Sequence, residues 1–154
     1  MRVFEIFSDG ASSGNPGPSA IGVVILEEGV TLREIAESIG LATNNVAEYR
    51  ALIRGLTEAR QLGAEHVRLR TDSELVFYQI KGEYKVKHEN MKLLHAQAVE
   101  ILKSFKKVEF KVVPREQNSA ADRLATSVLK KKKTGHDGRS DEFTIGEESP
   151  GSTG

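Results

Sequence analysis

The sequence contains no cysteine and no tryptophan, and only 4 of its 154 residues are proline. Without cysteine the protein can form neither disulfides nor thiolate metal sites, and this composition favours a cytoplasmic location. No apolar segment approaches the roughly 20 residues of a membrane span. Because Met1 leads directly into strand-like residues, we also expect no signal peptide. The length and the 38% hydrophobic content favour one globular domain with a hydrophobic core.

The net charge of zero conceals an uneven distribution of charge. From residue 135 onward there are one basic and five acidic residues, which leaves 21 basic and 17 acidic residues in 1–134. A body with a net charge of +4 is compatible with a polyanionic partner, although solvated surface charge explains it equally well. Residues 135–154 have few apolar side chains, so we predict a domain over 1–134 and a flexible acidic tail over 135–154. The alternative is that 143–145 dock as an edge strand.

Hydrophobic periodicity predicts five strands and four helices in the order β-β-β-α-β-α-α-β-α. The predicted strands are 3–9, 20–28, 30–40, 65–71 and 108–113, and the predicted helices are 43–62, 73–80, 89–105 and about 118–131. We expect a tight turn at Glu28-Gly29, an N-cap at Thr43 or Asn44, a helix stop at Gly63 and a cap of the last helix at Asn118. This order predicts an α/β fold in which helices cover both faces of a mixed five-stranded sheet.

The first predicted strand leads into a glycine-rich stretch, SDGASSGNPGP at 8–18. A phosphate loop or a dinucleotide-binding turn would need a helix to begin immediately after the glycines. The residues that follow, SAIGVVIL, have the pattern of a strand instead, and glycines at positions 10, 14 and 17 match neither template. The sequence therefore excludes both of these nucleotide-binding motifs.

Four acidic residues lie at strand ends or at the inner edge of a predicted helix. Asp9 and Asp72 each follow a strand, and Asp122 lies one turn into the last helix. Glu48 borders the apolar face of the first helix, where Gly55 is expected to leave space beside it. Each acid alone is explained by a turn, a cap or a solvated helix edge. If the four converge, they repel one another unless a cation is present, and oxygen ligands favour Mg²⁺ or Mn²⁺.

Four motifs resemble type 1 ribonuclease H in their order and spacing: SDGASSGNPGP, TNNVAEYRAL, TDSEL and REQNSAADRLA. The resemblance implies the ribonuclease H fold and a two-metal endonuclease that cuts the RNA strand of an RNA–DNA hybrid, leaving 3′-hydroxyl and 5′-phosphate ends. It assigns Asp9, Glu48, Asp72 and Asp122 as the catalytic acids that bind two Mg²⁺ ions, with Mn²⁺ as a substitute, and it places the bridging Asp9 at the end of its strand. We expect a monomer without membrane association.

The resemblance also implies which residues contact the nucleic acid: Ser13, Gly14, Asn15, Thr43, Asn44 and Asn45. The loop before Asn15 would approach the minor groove, where 2′-hydroxyls distinguish RNA from DNA. Glu48 would accept a hydrogen bond from a 2′-hydroxyl in addition to binding metal. Thr43 and Asn45 resemble a pocket that holds a phosphate of the DNA strand. Helix capping alone also explains Thr43 and the asparagines, and the two roles are compatible.

The segment between the second and third helices departs from many members of the family. Those relatives carry there a basic protrusion with tryptophan that grips the hybrid, whereas here KGEYKVKHENMKLL runs directly into the next helix. Lys81, Lys85, Lys87 and Lys92 would substitute in part, although a solvated lysine face explains them equally well. We therefore expect weak affinity for hybrid.

Two further departures concern Arg115 and Glu74. Many members have a mobile histidine in the loop that here contains Arg115, which cannot act as a general base but can position a phosphate or assist product departure. A plain surface charge is the alternative for Arg115. Glu74 lies at a position where relatives often have an amide side chain, and its carboxylate can only accept hydrogen bonds. Among the histidines, His95 is expected at the core boundary and His66 and His88 in solvent, and none is assigned a function.

Two alternatives to a hybrid-cleaving enzyme stay open. The first is a module that binds hybrid or duplex without catalysis, which the presence of all four acids disfavours. The second is a nuclease that acts on double-stranded RNA or on an RNA–DNA junction, which the missing protrusion leaves open.

Deleting residues 135–154 tests the tail prediction. A flexible acidic tail predicts little change in melting temperature and intact cleavage, with hybrid binding equal or tighter at low salt because the negative charge is removed. Melting curves and hybrid titrations of the two proteins measure both effects. A docked strand would instead bury Phe143 and Ile145, whose loss would cost roughly 2–4 kcal/mol and lower the melting temperature by many degrees.

Overall fold

The computed structural model describes residues 1–137, with side chains through residue 130. Five strands are present: β1 (Val3–Ser12), β2 (Gly17–Glu27), β3 (Val30–Ala42), β4 (His66–Thr71) and β5 (Lys107–Val112). Four α-helices accompany them: α1 (Asn44–Gln61), α2 (Glu74–Lys81), α3 (Glu89–Leu102) and α4 (Ser119–Asp137), the last preceded by a 3₁₀ turn at Arg115–Asn118. The predicted order of strands and helices is confirmed.

The five strands form one mixed sheet in the order β3-β2-β1-β4-β5. The first three are antiparallel neighbours, as short connections allow, whereas β1, β4 and β5 are parallel. Parallel neighbours need a crossover, and α1 lies between β3 and β4 in the chain while α2 and α3 lie between β4 and β5. This arrangement confirms the predicted mixed five-stranded α/β fold.

Helices cover both faces of the sheet, as the neighbours of two adjacent β2 residues show. Val23 belongs to the buried core and lies beside Gly55 of α1, whereas Gly22 lies against the backbone of Ala121 in α4. Because successive strand residues point to opposite faces, α1 and α4 pack on opposite sides. The core on the α1 side contains fully buried side chains from β1, β2, β4 and α1, among them Phe4, Ile6, Ile25, Leu52, Leu56 and Leu69.

The predicted hairpin turn, the predicted N-cap of α1 and the predicted end of α1 are confirmed. Thr43 is the N-cap of α1, and its hydroxyl accepts a hydrogen bond from the N–H of Val46 at 3.2 Å. Gly63, with φ +94°, follows the end of the same helix and donates its N–H to the carbonyl of Arg60. The two residues between β2 and β3, Glu28 and Gly29, both have positive φ, as tight hairpins require.

Several boundary predictions differ from the structure. β2 begins at Gly17 and not at residue 20, β3 continues to Ala42, and α3 ends at Leu102 and not at residue 105. β1 does not end at Asp9 but continues to Ser12, because its antiparallel pairing with β2 extends three residues further. Asn118 does not cap α4, since its side-chain oxygen accepts no hydrogen bond and its amide donates elsewhere. α4 continues to Asp137, past the predicted end near 131. α4 thus includes residues 135–137 of the predicted tail, and residues 138–154 lie outside the described residues, so a flexible tail over that range stays a prediction.

His66 is another difference, because its side chain is buried and not exposed as predicted. It lies on β4, and its Nε2 is 2.5 Å from Oε2 of Glu109 on β5. His95 does lie at the core boundary, with its ring edge against Tyr49. No helix within residues 1–137 is long and apolar enough to cross a membrane.

Gly22→Ala tests whether the sheet and α4 depend on this close approach. A Cβ at residue 22 would lie 2.1 Å from the carbonyl oxygen of Ala121 and 2.8 Å from the N of Ala125, so the helix backbone must move. We expect a loss of about 2–3 kcal/mol in the free energy of unfolding, measured by urea denaturation. Ala36→Ser, at the exposed residue paired with Gly22, serves as the control. A loss equal to that of the control would contradict the packing argument.

Candidate active site

Two of the predicted acids lie where the parallel part of the sheet ends. The register between β1 and β4 ends with the pair Phe7 and Arg70, and Asp9 and Asp72 each lie two residues further. Asp9 is still inside β1, where it pairs with Gly22, and its side chain is only 3% exposed. Asp72 is the first residue after β4. The carboxyl edge of parallel strands is where α/β sheets commonly form ligand sites.

Glu48 reaches the same place because Gly10 has no side chain. A Cβ at residue 10 would lie 2.2 Å from the carbonyl carbon of Ala47 and 2.4 Å from the N of Glu48. The resulting close approach of α1 to β1 lets the N–H of Gly10 donate to Oε1 of Glu48 at 2.9 Å. Gly10 therefore determines where the Glu48 carboxylate lies.

Carboxylate oxygens of Asp9, Glu48 and Asp72 all lie within 4.8 Å of one another. Asp122 joins them from α4, where its side chain lies within hydrogen-bonding reach of Asp9. The structure thus brings the four predicted acids together from β1, α1, the end of β4 and α4.

Burial and the neighbouring acids raise the pKa values of Asp9 and Glu48. Burial is the largest cause that raises the pKa of Asp9, and the charge of Glu48, the hydrogen bond with Asp122 and the charge of Asp72 raise it further. Burial also raises the pKa of Glu48, partly opposed by the N–H of Gly10. Both shifts disfavour the charged carboxylates in the protein alone.

The donor set fits a hard divalent cation. A cation among these oxygens would remove the repulsion that raises the two pKa values, and carboxylate ligands without sulfur or imidazole suit Mg²⁺ or Mn²⁺. The residues that could hold such ions are Asp9, Glu48, Asp72 and Asp122.

Asn118 is a site residue whose role the sequence did not indicate. Its side-chain amide donates to the carbonyl of Ser8 at 2.9 Å and to Oδ1 of Asp72 at 3.1 Å, and the residue is buried. Its own oxygen has no hydrogen-bond partner among the described atoms. Asn118 therefore holds the Asp72 carboxylate against β1. The sequence suggested a capping role instead, because Asn118 lies directly before a helix.

Three glycines also differ from what the sequence suggested. Gly55 does not leave space beside Glu48, because a Cβ at residue 55 would lie 2.9 Å from a methyl of Ile6. The missing side chain instead makes room for side chains that project from the sheet. Gly10 and Gly22 were missed as packing positions. A glycine inside a strand is itself a signal of close backbone approach, and Gly22 lies in the middle of the apolar run 20–28.

Arg115 lies at the edge of the carboxylate cluster. Its Nη2 is 4.0 Å from Oδ1 of Asp122, and its side chain is 79% exposed. Together with Asp72 and the exposed Glu74 it lines a hollow of about 550 Å³ beside the acids. An exposed guanidinium at this place can reach an anion that binds over the carboxylates.

The residues predicted to bind nucleic acid lie around the start of α1. Oδ1 of Asn15 accepts the N–H of Asn44 at 2.9 Å, which joins the glycine-rich loop to the helix. Ser13 and Gly14 are exposed in that loop, and Asn45 is exposed in the first turn of α1. Asn15, Thr43 and Asn45 line a cleft of about 560 Å³. Thr43 therefore caps α1 and also lines this cleft.

Comparisons with known proteins agree with this arrangement. The family model described as reverse transcriptase-like matches residues 7–128. The bifunctional protein Rv2228c of Mycobacterium tuberculosis is 44% identical over 126 residues, which are 80% of this chain, and the chain spans 35% of that relative's length. Ribonuclease HI of Halobacterium salinarum is 41% identical over 83% of this chain and 64% of its own length.

Two solved structures are similar over most of their length. Ribonuclease H1 of Halobacterium salinarum has a TM-score of 0.81 and 38% identity, covering 84% of this chain and 98% of that one. LC11 ribonuclease H1 was isolated from compost and solved in complex with RNA/DNA hybrid. It has a TM-score of 0.78 and 41% identity, covering 84% of this chain and 98% of that one.

The match of the family model covers well over half of the chain, and the solved ribonucleases H1 share its sheet and helices almost end to end. The strands and the crossovers are therefore those of a known fold family, and the chain belongs to the type 1 ribonuclease H family.

Proposed function

We propose that this protein is a metal-dependent endonuclease that hydrolyses the RNA strand of RNA–DNA hybrids and leaves 5′-phosphate and 3′-hydroxyl ends. The observation that carries the proposal is the cluster of Asp9, Glu48 and Asp72, whose oxygens lie within 4.8 Å of one another. The complex of LC11 ribonuclease H1 with RNA/DNA hybrid supports the choice of substrate.

The acids would hold two Mg²⁺ ions, with Mn²⁺ as a substitute, and these ions would supply an activated water and stabilise the leaving oxygen. Asp9 is central to this site because it is the most buried of the acids and lies against the other three. Gly10 orients Glu48 through its N–H, and Asn118 orients Asp72 through its side-chain amide. These two hydrogen bonds reduce the freedom of ligands that would otherwise rotate.

Other residues of the chain would bind and orient the nucleic acid. The second oxygen of Glu48 can accept a hydrogen bond from a 2′-hydroxyl, which DNA lacks. Arg115 would contact the phosphate being cut, since its guanidinium lies at the edge of the acids. Contacts with the sugar–phosphate backbone are assigned to Ser13, Gly14, Asn15, Thr43, Asn44 and Asn45.

The substrate is tested by cleavage of labelled RNA–DNA hybrid, double-stranded RNA, an RNA–DNA junction and double-stranded DNA, each with Mg²⁺, Mn²⁺ or chelator. We expect hybrid to be cleaved in a metal-dependent way and double-stranded DNA to stay intact. Faster cleavage of double-stranded RNA or of the junction would favour the alternative of a nuclease that acts on those substrates. Metal-independent binding without cleavage would favour a non-catalytic binding module. A monomer and a cytoplasmic location stay predictions.

Asp9→Asn and Asp72→Asn each remove a charged ligand and should abolish cleavage without unfolding the protein. An unfolded aspartate titrates near pH 4, whereas the pKa of buried Asp9 is raised, so metal-free protein loses stability as pH rises above about 4. Asparagine carries no charge at any pH. We therefore expect the melting temperature of the metal-free Asp9→Asn protein at pH 7 to equal or exceed that of the wild type.

Glu34→Gln, at an exposed position of β3, is the matched control for removal of one negative charge. It should retain wild-type cleavage. Near-normal turnover of Asp9→Asn or Asp72→Asn with Mg²⁺ would disprove the assignment of the acids.

Arg115→Ala should slow turnover while metal binding persists, because the guanidinium would act on phosphate and not on the ions. Roughly a tenfold or larger fall in kcat is expected for loss of one charged contact to a reacting phosphate. Metal binding is followed by the rise in melting temperature on adding Mg²⁺, which should match that of the wild type. Arg60→Ala, at an exposed position in the last turn of α1, is the control. An unchanged kcat at saturating substrate would make Arg115 an ordinary surface charge.

A further inference from the structure

Strand β5 is one edge of the sheet, and its outer side has no neighbouring strand among the described residues. On its inner side, the N–H groups of Lys107 and Val113 donate to carbonyls along β4. Because the backbone groups of a strand alternate between its two sides, the N–H and C=O groups of Val108, Phe110 and Val112 point outward. No other described segment pairs with these groups. The outer side of β5 can therefore accept a further strand.

An apolar hollow of about 550 Å³ borders this edge, on the face of the sheet that carries α2 and α3. Its apolar lining comes from α2, α3 and β5, through Phe77, Ile80, Val99, Leu102, Val108 and Phe110. All six side chains are only half-buried. An unpaired strand edge beside half-exposed apolar side chains is a surface on which another chain can bury apolar area while it adds a strand.

The opposite face of β5 carries alternating charges, because Lys107, Glu109 and Lys111 are all exposed there. Oε2 of Glu109 is 2.5 Å from Nε2 of His66 and 3.4 Å from Nε of Arg68. Its other oxygen, Oε1, and the ammonium of Lys111 have no ion pair among the side chains described through residue 130. β5 thus presents a carboxylate oxygen and an ammonium, two residues apart, for contacts with another strand.

We propose that two copies of this chain associate through β5, whose outer sides pair in an antiparallel way about a two-fold axis at Phe110. The partner is a second copy because β5 is complementary to itself in this register. Phe110 lies opposite Phe110 of the second copy, Val108 lies opposite Val112, and Glu109 lies opposite Lys111. The outward-pointing backbone groups then exchange hydrogen bonds, and both charged residues of the paired segment lie opposite a residue of the other sign.

Other registers that align the outward-pointing backbone groups are less favourable. If one strand slides by two residues in either direction, Glu109 or Lys111 lies opposite the same residue of the other copy, and like charges in that position repel. If it slides by four, Phe110 lies opposite Lys106 or Pro114, which are outside β5. The pattern of charges and apolar side chains therefore selects the register with Phe110 on the axis.

The contact is small, because only residues 108–112 of each copy pair. A standard interface uses roughly 20–30 residues on each side, so we expect a weak dimer with a dissociation constant on the order of 10–100 μM. The predicted monomer is then the form that is present at the nanomolar concentrations of a cleavage assay. Because the two β5 strands run in opposite directions, the carboxyl edges of the two sheets face opposite ways, and both acid clusters stay open.

Charge exchange at the interface tests the pairing, with the association of the full chain measured by sedimentation velocity from low to several hundred micromolar. Lys111→Glu places it opposite Glu109 of the other copy, so it should weaken the dimer roughly tenfold or more. Glu109→Lys/Lys111→Glu exchanges the two charges and should restore association. Lys107→Glu, the matched control on the same strand, lies opposite the uncharged Val113 and should change the dissociation constant by less than about twofold.

Two results would overturn the inference. The first is equal weakening by Lys107→Glu and Lys111→Glu, which would show a general effect of charge without a register. The second is wild-type protein that stays monomeric at the highest concentration, which would leave the edge to a strand of a different protein. Melting curves of each variant show that the fold is intact, since Glu109 also contacts His66 and Arg68.

Cysteine cross-linking tests the register without changing any charge, because the chain has no cysteine of its own. Val108→Cys and Val112→Cys proteins are mixed, with oxidised glutathione as the oxidant. Opposite residues of a hydrogen-bonded antiparallel pair have Cα atoms about 5.5 Å apart, a separation that a disulfide spans. The mixture should form covalent dimers. Each variant alone should not, because its two cysteines are about 13 Å apart along the strands. Cross-linking of one variant alone, or none in the mixture, would overturn the inference.

Discussion

The close contact between Gly10 of β1 and the start of α1 sets the geometry on which the candidate site depends. A side chain at residue 10 would collide with the backbone of Ala47 and Glu48, so only glycine lets the helix lie this near the strand. That distance places the Glu48 carboxylate beside Asp9 and also positions Thr43 and Asn45 at the cleft. One close approach of helix to strand therefore sets both the spacing of the acids and the location of the proposed nucleic-acid surface.

Holding carboxylates this close is unfavourable by itself, and the surrounding structure provides the opposing force. Burial, together with the charges of neighbouring acids, disfavours the charged forms of Asp9 and Glu48 and raises the pKa of each. Phe4 and Ile6 of β1 and Leu52 of α1 are fully or almost fully buried in one hydrophobic core. Hydrophobic burial of strand and helix against each other thus keeps the repelling groups together until a cation neutralises them.

Local signals predicted much of the fold, and tertiary partners explain what they could not predict. Features that depend on residues nearby in the sequence were predicted correctly. They are the N-cap at Thr43, the turn at Glu28 and Gly29, and the order of the strands and helices. The prediction that His66 is exposed was wrong, because its partner Glu109 is 43 residues away in the sequence and lies on another strand. The four acids were found by their motifs, whereas Asn118, which orients one of them, was assigned to capping, because a side chain's distant partner leaves no local pattern.

The hydrogen bond from Asn118 to Ser8 joins residues 110 positions apart, so the two ends of the described chain meet at the acids. Strand β1 carries Asp9 and is made first on the ribosome, yet the amide that orients Asp72 and the carboxyl of Asp122 follow more than a hundred residues later. A nascent chain that lacks α4 therefore holds only part of the ligand set. Contacts of such long range form late in folding because their loop-closure entropy is large. Completion of the proposed metal site thus coincides with completion of the fold, and an unfinished chain cannot assemble the full set of acids.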